Sequence, residues 1–88
     1  MFEFESSKSE SNKVKHGIDF YSVRRLWNDV NRVEIQARWV DEARFLIIAK
    51  FDKEIWSAIY TLMNKRIRII SVRKARENEK EIYNSSRI

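Results

Sequence analysis

Between positions 64 and 76 the chain carries Lys65, Arg66, Arg68, Arg73, Lys74 and Arg76 and no carboxylate. Arg66-Ile67-Arg68-Ile69 alternates with a period of two. That period predicts a strand over 66–72, with Arg66 and Arg68 on one face and Ile67 and Ile69 on the other. Guanidiniums held side by side, always charged near neutral pH, suit phosphate oxygens. The plainer alternative is a solvated face whose charges discourage edge pairing. Such a surface can support one reaction without a metal or a nucleophilic side chain: attack of an RNA 2′-hydroxyl on its neighbouring phosphate. The phosphate must be held in line, its developing charge stabilised, and two protons moved. Arg and Lys can do the first two jobs. His16 is the only histidine, and imidazole is the side chain whose reference pKa lies nearest neutrality, so His16 is the natural proton carrier. At a helix C-terminus it would serve equally well as a capping cation. Tyr83 and Glu42 are weaker candidates, and Tyr83 is as well suited to packing.

Other chemistries find little support. There is no cysteine, which removes disulfides and thiolate metal sites, and a single histidine argues against zinc. With one glycine in 88 residues, no glycine-lined nucleotide cradle can form, and no metalloprotease or serine-hydrolase motif is present. No cofactor is expected. The net charge of +5 and the pI near 9.7 call for an anionic partner. The longest purely apolar run, 45–49, is too short to span a bilayer, and no secretory segment opens the chain. A soluble, cytoplasmic protein is the expectation, with no membrane partner.

The elements that must position these groups can be read in order. Phe2-Glu3-Phe4 suggests a short tethering strand. Ser7 and Glu10 have the spacing of a capping box for a helix running to His16, with Gly17 as its left-handed stop. Asp19 can cap a second helix with Phe20, Val23, Trp27 and Val30 on its buried stripe. Val33, Ile35, Ala37 and Trp39 then alternate with polar residues, predicting a half-buried strand. A turn at Asp41-Glu42 leads to a strand over 43–51. A turn at Asp52-Lys53 leads to one over 54–62, and Asn64-Lys65 leads into the basic strand. From about Lys74 a helix is expected with Ala75, Ile82 and Tyr83 inward and Glu77, Glu79 and Lys80 outward. The fold class is therefore α+β in a single domain, 1–88: two N-terminal helices, a four-stranded mainly antiparallel sheet with room for a short extra N-terminal strand, and a C-terminal helix. The helices should cover mainly one sheet face and leave the arginines on the other.

Both ends of the chain resemble BrnT-type toxins. The opening carries Phe2-x-Phe4-Glu5, Lys8, Asn12, Lys15-His16-Gly17-Ile18 and Phe20; the close carries Arg68-Ile69-Ile70-Ser71-Val72-Arg73-x-Ala75, Glu79 and Tyr83, and Arg44 matches an arginine that begins a strand. Phe4, Glu5, Val72 and Ala49 depart from the commoner residues, and the Asp52-Lys53 turn lacks the usual glycine. The resemblance implies a RelE-like fold and a ribonuclease of a type II toxin–antitoxin system that arrests translation. It further implies a cognate DNA-binding antitoxin, contact with operator DNA only through that complex, and a dimer or a heterotetramer with the antitoxin. By position, Lys8, His16, Arg44, Arg68, Arg73 and Tyr83 become the functional set; taken with the other basic residues, this gives His16, Arg44, Arg68, Arg73 and Tyr83 as catalytic residues and Lys8, Lys15, Arg66 and Lys74 as cations for RNA phosphates. A non-catalytic basic module gripping RNA or an acidic protein is the rival reading. Duplex-DNA binding is a distant third, since no helix-turn-helix pair is visible.

Overall fold

Strand β1 (Phe2–Glu3) precedes helix α1 (Ser6–His16) and a short helix α2 (Phe20–Val23), which a 3-10 turn (Arg24–Asn28) prolongs. Strands β2 (Val33–Trp39), β3 (Ala43–Phe51), β4 (Glu54–Met63) and β5 (Arg66–Lys74) follow, and helix α3 (Glu77–Ser85) closes the fold. This computed structural model describes residues 2–39 and 43–85, with only the backbone of Arg38 and Trp39. The expected Asp41-Glu42 turn, and with it Glu42, lies outside the described residues. None of the described helices is long and apolar enough to cross a membrane.

The class is α+β, and the short N-terminal strand that the sequence left room for makes the sheet a mixed one of five strands rather than a four-stranded, mainly antiparallel one. Its order is β1-β5-β4-β3-β2. β1 runs parallel to β5, and the other pairings are antiparallel. No hairpin joins β1 to β5, so nothing imposes the antiparallel sense there. Both tight hairpins turn through two left-handed residues, Asp52-Lys53 (φ 54° and 70°) and Asn64-Lys65 (φ 51° and 66°). Primed turns of this kind match strand twist without a glycine. Each lysine bears about 1 kcal/mol of backbone strain in return.

The first helix departs from its expected anchoring. It begins at Ser6, Glu5 is its N-cap, and no side chain caps it, so the Ser7–Glu10 capping box does not form. The inward residues are polar instead. Ser9 Oγ accepts from Phe20 N at 2.9 Å. Asn12 donates through Nδ2 to the Ile18 carbonyl at 2.9 Å and accepts through Oδ1 from Val72 N at 3.2 Å. Asn12 thereby continues the cover of the β5 edge that β1 supplies only at Ile67 and Arg68. Gly17 is left-handed (φ 82°) and donates to the Lys13 carbonyl; Asp19 caps α2 through Ser22 N. Both agree with the sequence reading. Leu26 joins Phe20 and Val23 in the core, whereas Val30 is exposed.

The core lies between α1, α2 and one sheet face. Ile18, Phe20, Val23 and Leu26 meet Ile47, Ala58, Tyr60, Ile69 and Val72. Helix α3 lies over the other face, so the helices are not gathered on one side. It starts at Glu77 because β5 continues to Lys74. Its buried residues are Glu79 and Tyr83, while Ile82 is exposed. The reading that put Glu79 outside and Ile82 inside is corrected: a charged residue docks this helix. At the far edge β2 is more exposed than expected, with Ile35 and Ala37 open to solvent.

Candidate functional site

The arginines of β5 share a face because the strand carries one extra residue. Ile59 pairs with Ser71 and Tyr60 with Ile69, leaving Ile70 as a bulge. Strict alternation from Arg68 would have put Val72 on the arginine face and Arg73 in the core. The bulge resets the phase, so Ile69 and Val72 both face the core and Arg66, Arg68, Ser71 and Arg73 face the other way.

Hairpin register then brings β3 into line with them. Thr61 is the partner of Arg68, and Phe45 is the partner of Tyr60. One step on, Arg44 stands beside Thr61. Arg44, Thr61 and Arg68 therefore form a row across three strands, with Arg44 and Arg68 about 10 Å apart at Cα from the ordinary strand spacing. Long side chains from these positions can converge on one phosphate or bridge two. Thr61 Oγ1 donates to the Ala43 carbonyl at 2.7 Å, which fixes the middle of the row. Arg66 lies beside Met63 at the sheet end.

The charge pairs of Arg66 and Arg68 are loose. Arg68 Nη2 lies 3.9 Å from Glu5 Oε2, and Arg66 Nη1 lies 3.5 Å from Glu3 Oε2. Arg68 Nη1 also approaches Met63 Sδ at 3.5 Å. These side chains are 37–64% exposed, so each pair contributes little to stability, and a phosphate can displace it at small cost.

Arg73 is held differently. Glu79 accepts from its Nη1 at 2.8 Å and its Nη2 at 2.9 Å. The same carboxylate accepts from Ser57 Oγ and Arg76 N, both at 2.8 Å. Glu79 is only 6% exposed. The guanidinium, helped by the Arg76 amide and Ser57, holds its pKa at about 2, and Glu79 in turn raises that of Arg73. Arg73 thus docks α3, with 30% of its side chain still exposed. Tyr83, 2% exposed, donates to Asp29 Oδ2 at 2.6 Å, and Asp29 also accepts from Lys50 N and Asn31 N. Its hydroxyl ties α3 to Asp29.

His16 lies elsewhere. It lines a cleft of about 460 Å³ with Lys13, Asp52, Glu54, Trp56 and Lys74, on the α1–α2 side of the sheet. Lys74 pairs with Glu54 at 3.3 Å. From Arg68 to Lys74 is six residues of strand, about 20 Å, so imidazole does not reach the arginine row. Lys8 and Lys15 are exposed on α1. No group of three or more metal-ligating side chains occurs among the described residues. Buried Tyr60 donates to Glu34 on the core side; burial first, and then that carboxylate, push its pKa up.

A family model described as the ribonuclease toxin, BrnT, of type II toxin–antitoxin systems matches residues 4–79. The chain belongs to the BrnT family. The matched span takes in His16, Arg44, Arg68 and Arg73, and Tyr83 lies beyond it. No curated protein matches the chain. Sequence reasoning missed the companions of the row in this BrnT domain. Thr61 could have been found by counting back through the two-residue turns at 52–53 and 64–65, which fix both registers. Glu3 and Glu5 carried no signal of proximity to Arg66 and Arg68, because a parallel pairing of chain ends leaves none.

Proposed function

We propose that this BrnT protein is a RelE-like endoribonuclease whose working surface is the open part of the sheet face around Arg44, Thr61 and Arg68. The observation that carries the reading is the cross-strand row itself. Two guanidiniums on stiff neighbouring strands can hold one phosphodiester and stabilise the charge that builds on it when the adjacent 2′-hydroxyl attacks. A rigid scaffold matters because the reacting oxygen and phosphorus must be kept in line. Arg66 extends the row along the RNA strand, and Lys8 adds positive potential nearby. Arg73 and Tyr83 act at one remove, by holding α3 and hence the end of β5. The cations of the His16 cleft would meet flanking phosphates of the same RNA.

On this reading the reaction needs no metal and leaves a 2′,3′-cyclic phosphate and a 5′-hydroxyl. Cleavage of cellular RNA in the cytoplasm arrests translation, and a cognate DNA-binding antitoxin, whose complex with the toxin binds the operator, neutralises it. The test uses labelled messenger RNA, free and in a translating extract, with excess EDTA. Cleavage with cyclic-phosphate ends, abolished in a folded Arg68→Ala variant, is the expected result. Strict metal dependence would remove the mechanism, and retarded RNA without any cleavage would favour a binding module.

A further inference from the structure

We propose that Glu5 is the general base of the cleavage reaction. The inference rests on the arginine-row reading above and adds to it the group that takes the proton. Of the proton carriers expected from the sequence, neither His16 nor Tyr83 can act at Arg68. The Tyr83 hydroxyl is buried against Asp29, and His16 lies in the cleft with Lys13 and Lys74. On the Arg68 side of the row stand the carboxylates of Glu3 and Glu5. Glu3 is the Cα partner of Arg68 and is held by Arg66 at 3.5 Å.

Glu5 is the looser of the two. It occupies the N-cap of α1 without any side-chain cap bond; only its carbonyl serves the helix, accepting from Ser9 N at 3.0 Å. Its carboxylate is turned to Arg68 at 3.9 Å, beyond hydrogen-bond length, and the side chain is 54% exposed. A carboxylate beside the guanidinium that grips the phosphate is placed to meet the ribose of the same nucleotide. The charges facing it are Arg68 from β5, Glu3 and its Arg66 partner across β1 and β5, and Lys8 one turn along α1.

The step balances without a co-reactant. The 2′-O–H bond breaks and its proton passes to a Glu5 carboxylate oxygen. The 2′-oxygen bonds to phosphorus, and the P–O5′ bond breaks with its electron pair going to O5′. O5′ takes a proton from water on this open face, and Glu5 returns its own proton to solvent.

The experiment compares wild type, Glu5→Gln, Glu3→Gln and Arg68→Ala. Cleavage is measured on a labelled RNA, free and in a translating extract, and binding on the 2′-O-methyl form of the same RNA. Glu5→Gln should lose about a hundredfold or more in cleavage. It should also lose the acid limb of the pH–rate profile, yet bind the 2′-O-methyl RNA as tightly as wild type or more so, because Arg68 is released. A merely structural residue would not show that combination. Cleavage by Glu5→Gln within threefold of wild type, with Arg68→Ala inactive, would overturn the proposal and leave the arginine row standing. Loss of the acid limb in Glu3→Gln alone would also overturn it. Full cleavage by both Glu5→Gln and Arg68→Ala would overturn the proposal together with the row.

Discussion

Replacing Glu79 by glutamine isolates the charge that fastens α3 to the sheet. The side chain keeps its shape, so no cavity opens. One amide oxygen can still accept from Ser57 or Arg76, but the amide nitrogen now faces Arg73 as donor against donor. The magnitude follows from the carboxyl itself, whose pKa is held at about 2 against a reference of 4.5. At ~1.4 kcal/mol per pH unit, that gap is worth ~3 kcal/mol to the ionised folded state. Arg73 is 30% exposed and recovers some hydration when its partner is lost, so a cost of about 2–3 kcal/mol is expected at pH 7. For a domain of this size that lowers Tm by roughly 10–20 °C. The pH dependence has a definite sign. A carboxylate with a depressed folded pKa contributes its stability in full above its unfolded value, here near 4.5, and loses it as pH falls towards about 2. Thermal unfolding of both proteins followed by circular dichroism should therefore show a wide gap at pH 7 that closes towards pH 2. A gap of the same size at both pH values, or none at pH 7, would refute the assignment of Arg73–Glu79 as the clamp.

Two further substitutions separate structure from chemistry. Asn12→Ala leaves the buried Val72 N–H and Ile18 carbonyl without their partners and should cost about 2–4 kcal/mol in urea unfolding; a loss below about 0.5 kcal/mol would mean that the β5 edge has another cover. His16→Ala should cleave RNA within a few-fold of wild type. A loss approaching the roughly hundredfold cost of deleting an acid or base would return imidazole to the chemistry.

Much of this architecture could be read from residues alone because the signals were local. The two-residue turns at Asp52-Lys53 and Asn64-Lys65, the glycine after His16 and the cap at Asp19 each act within a few positions. The alternation at Arg66–Ile69 placed two arginines on one face correctly. What stayed hidden depended on contacts between distant parts of the chain. The Ile70 bulge, which turns Arg73 outward, shows in the sequence only as two adjacent isoleucines where the alternation breaks. Glu79 reads as a solvated helix residue until Arg73 and Ser57 are seen beside it. Ser9 and Asn12 look like surface residues of a polar helix, yet they are the ones that fix it to α2 and β5. Tyr83 is a candidate both by its chemistry and by resemblance, and its burial against Asp29 depends on the return of α3 across the sheet.

The most direct test of the central claim is to see which surface RNA touches. Backbone amide shifts of isotope-labelled protein can be followed by NMR during titration with a 2′-O-methyl oligoribonucleotide, which binds without being cut. The largest changes should fall on Arg44, Thr61, Met63, Arg66 and Arg68, and should vanish in Arg44→Ala/Arg68→Ala. Changes centred on Lys13, His16 and Lys74, with the sheet face unmoved, would contradict the account.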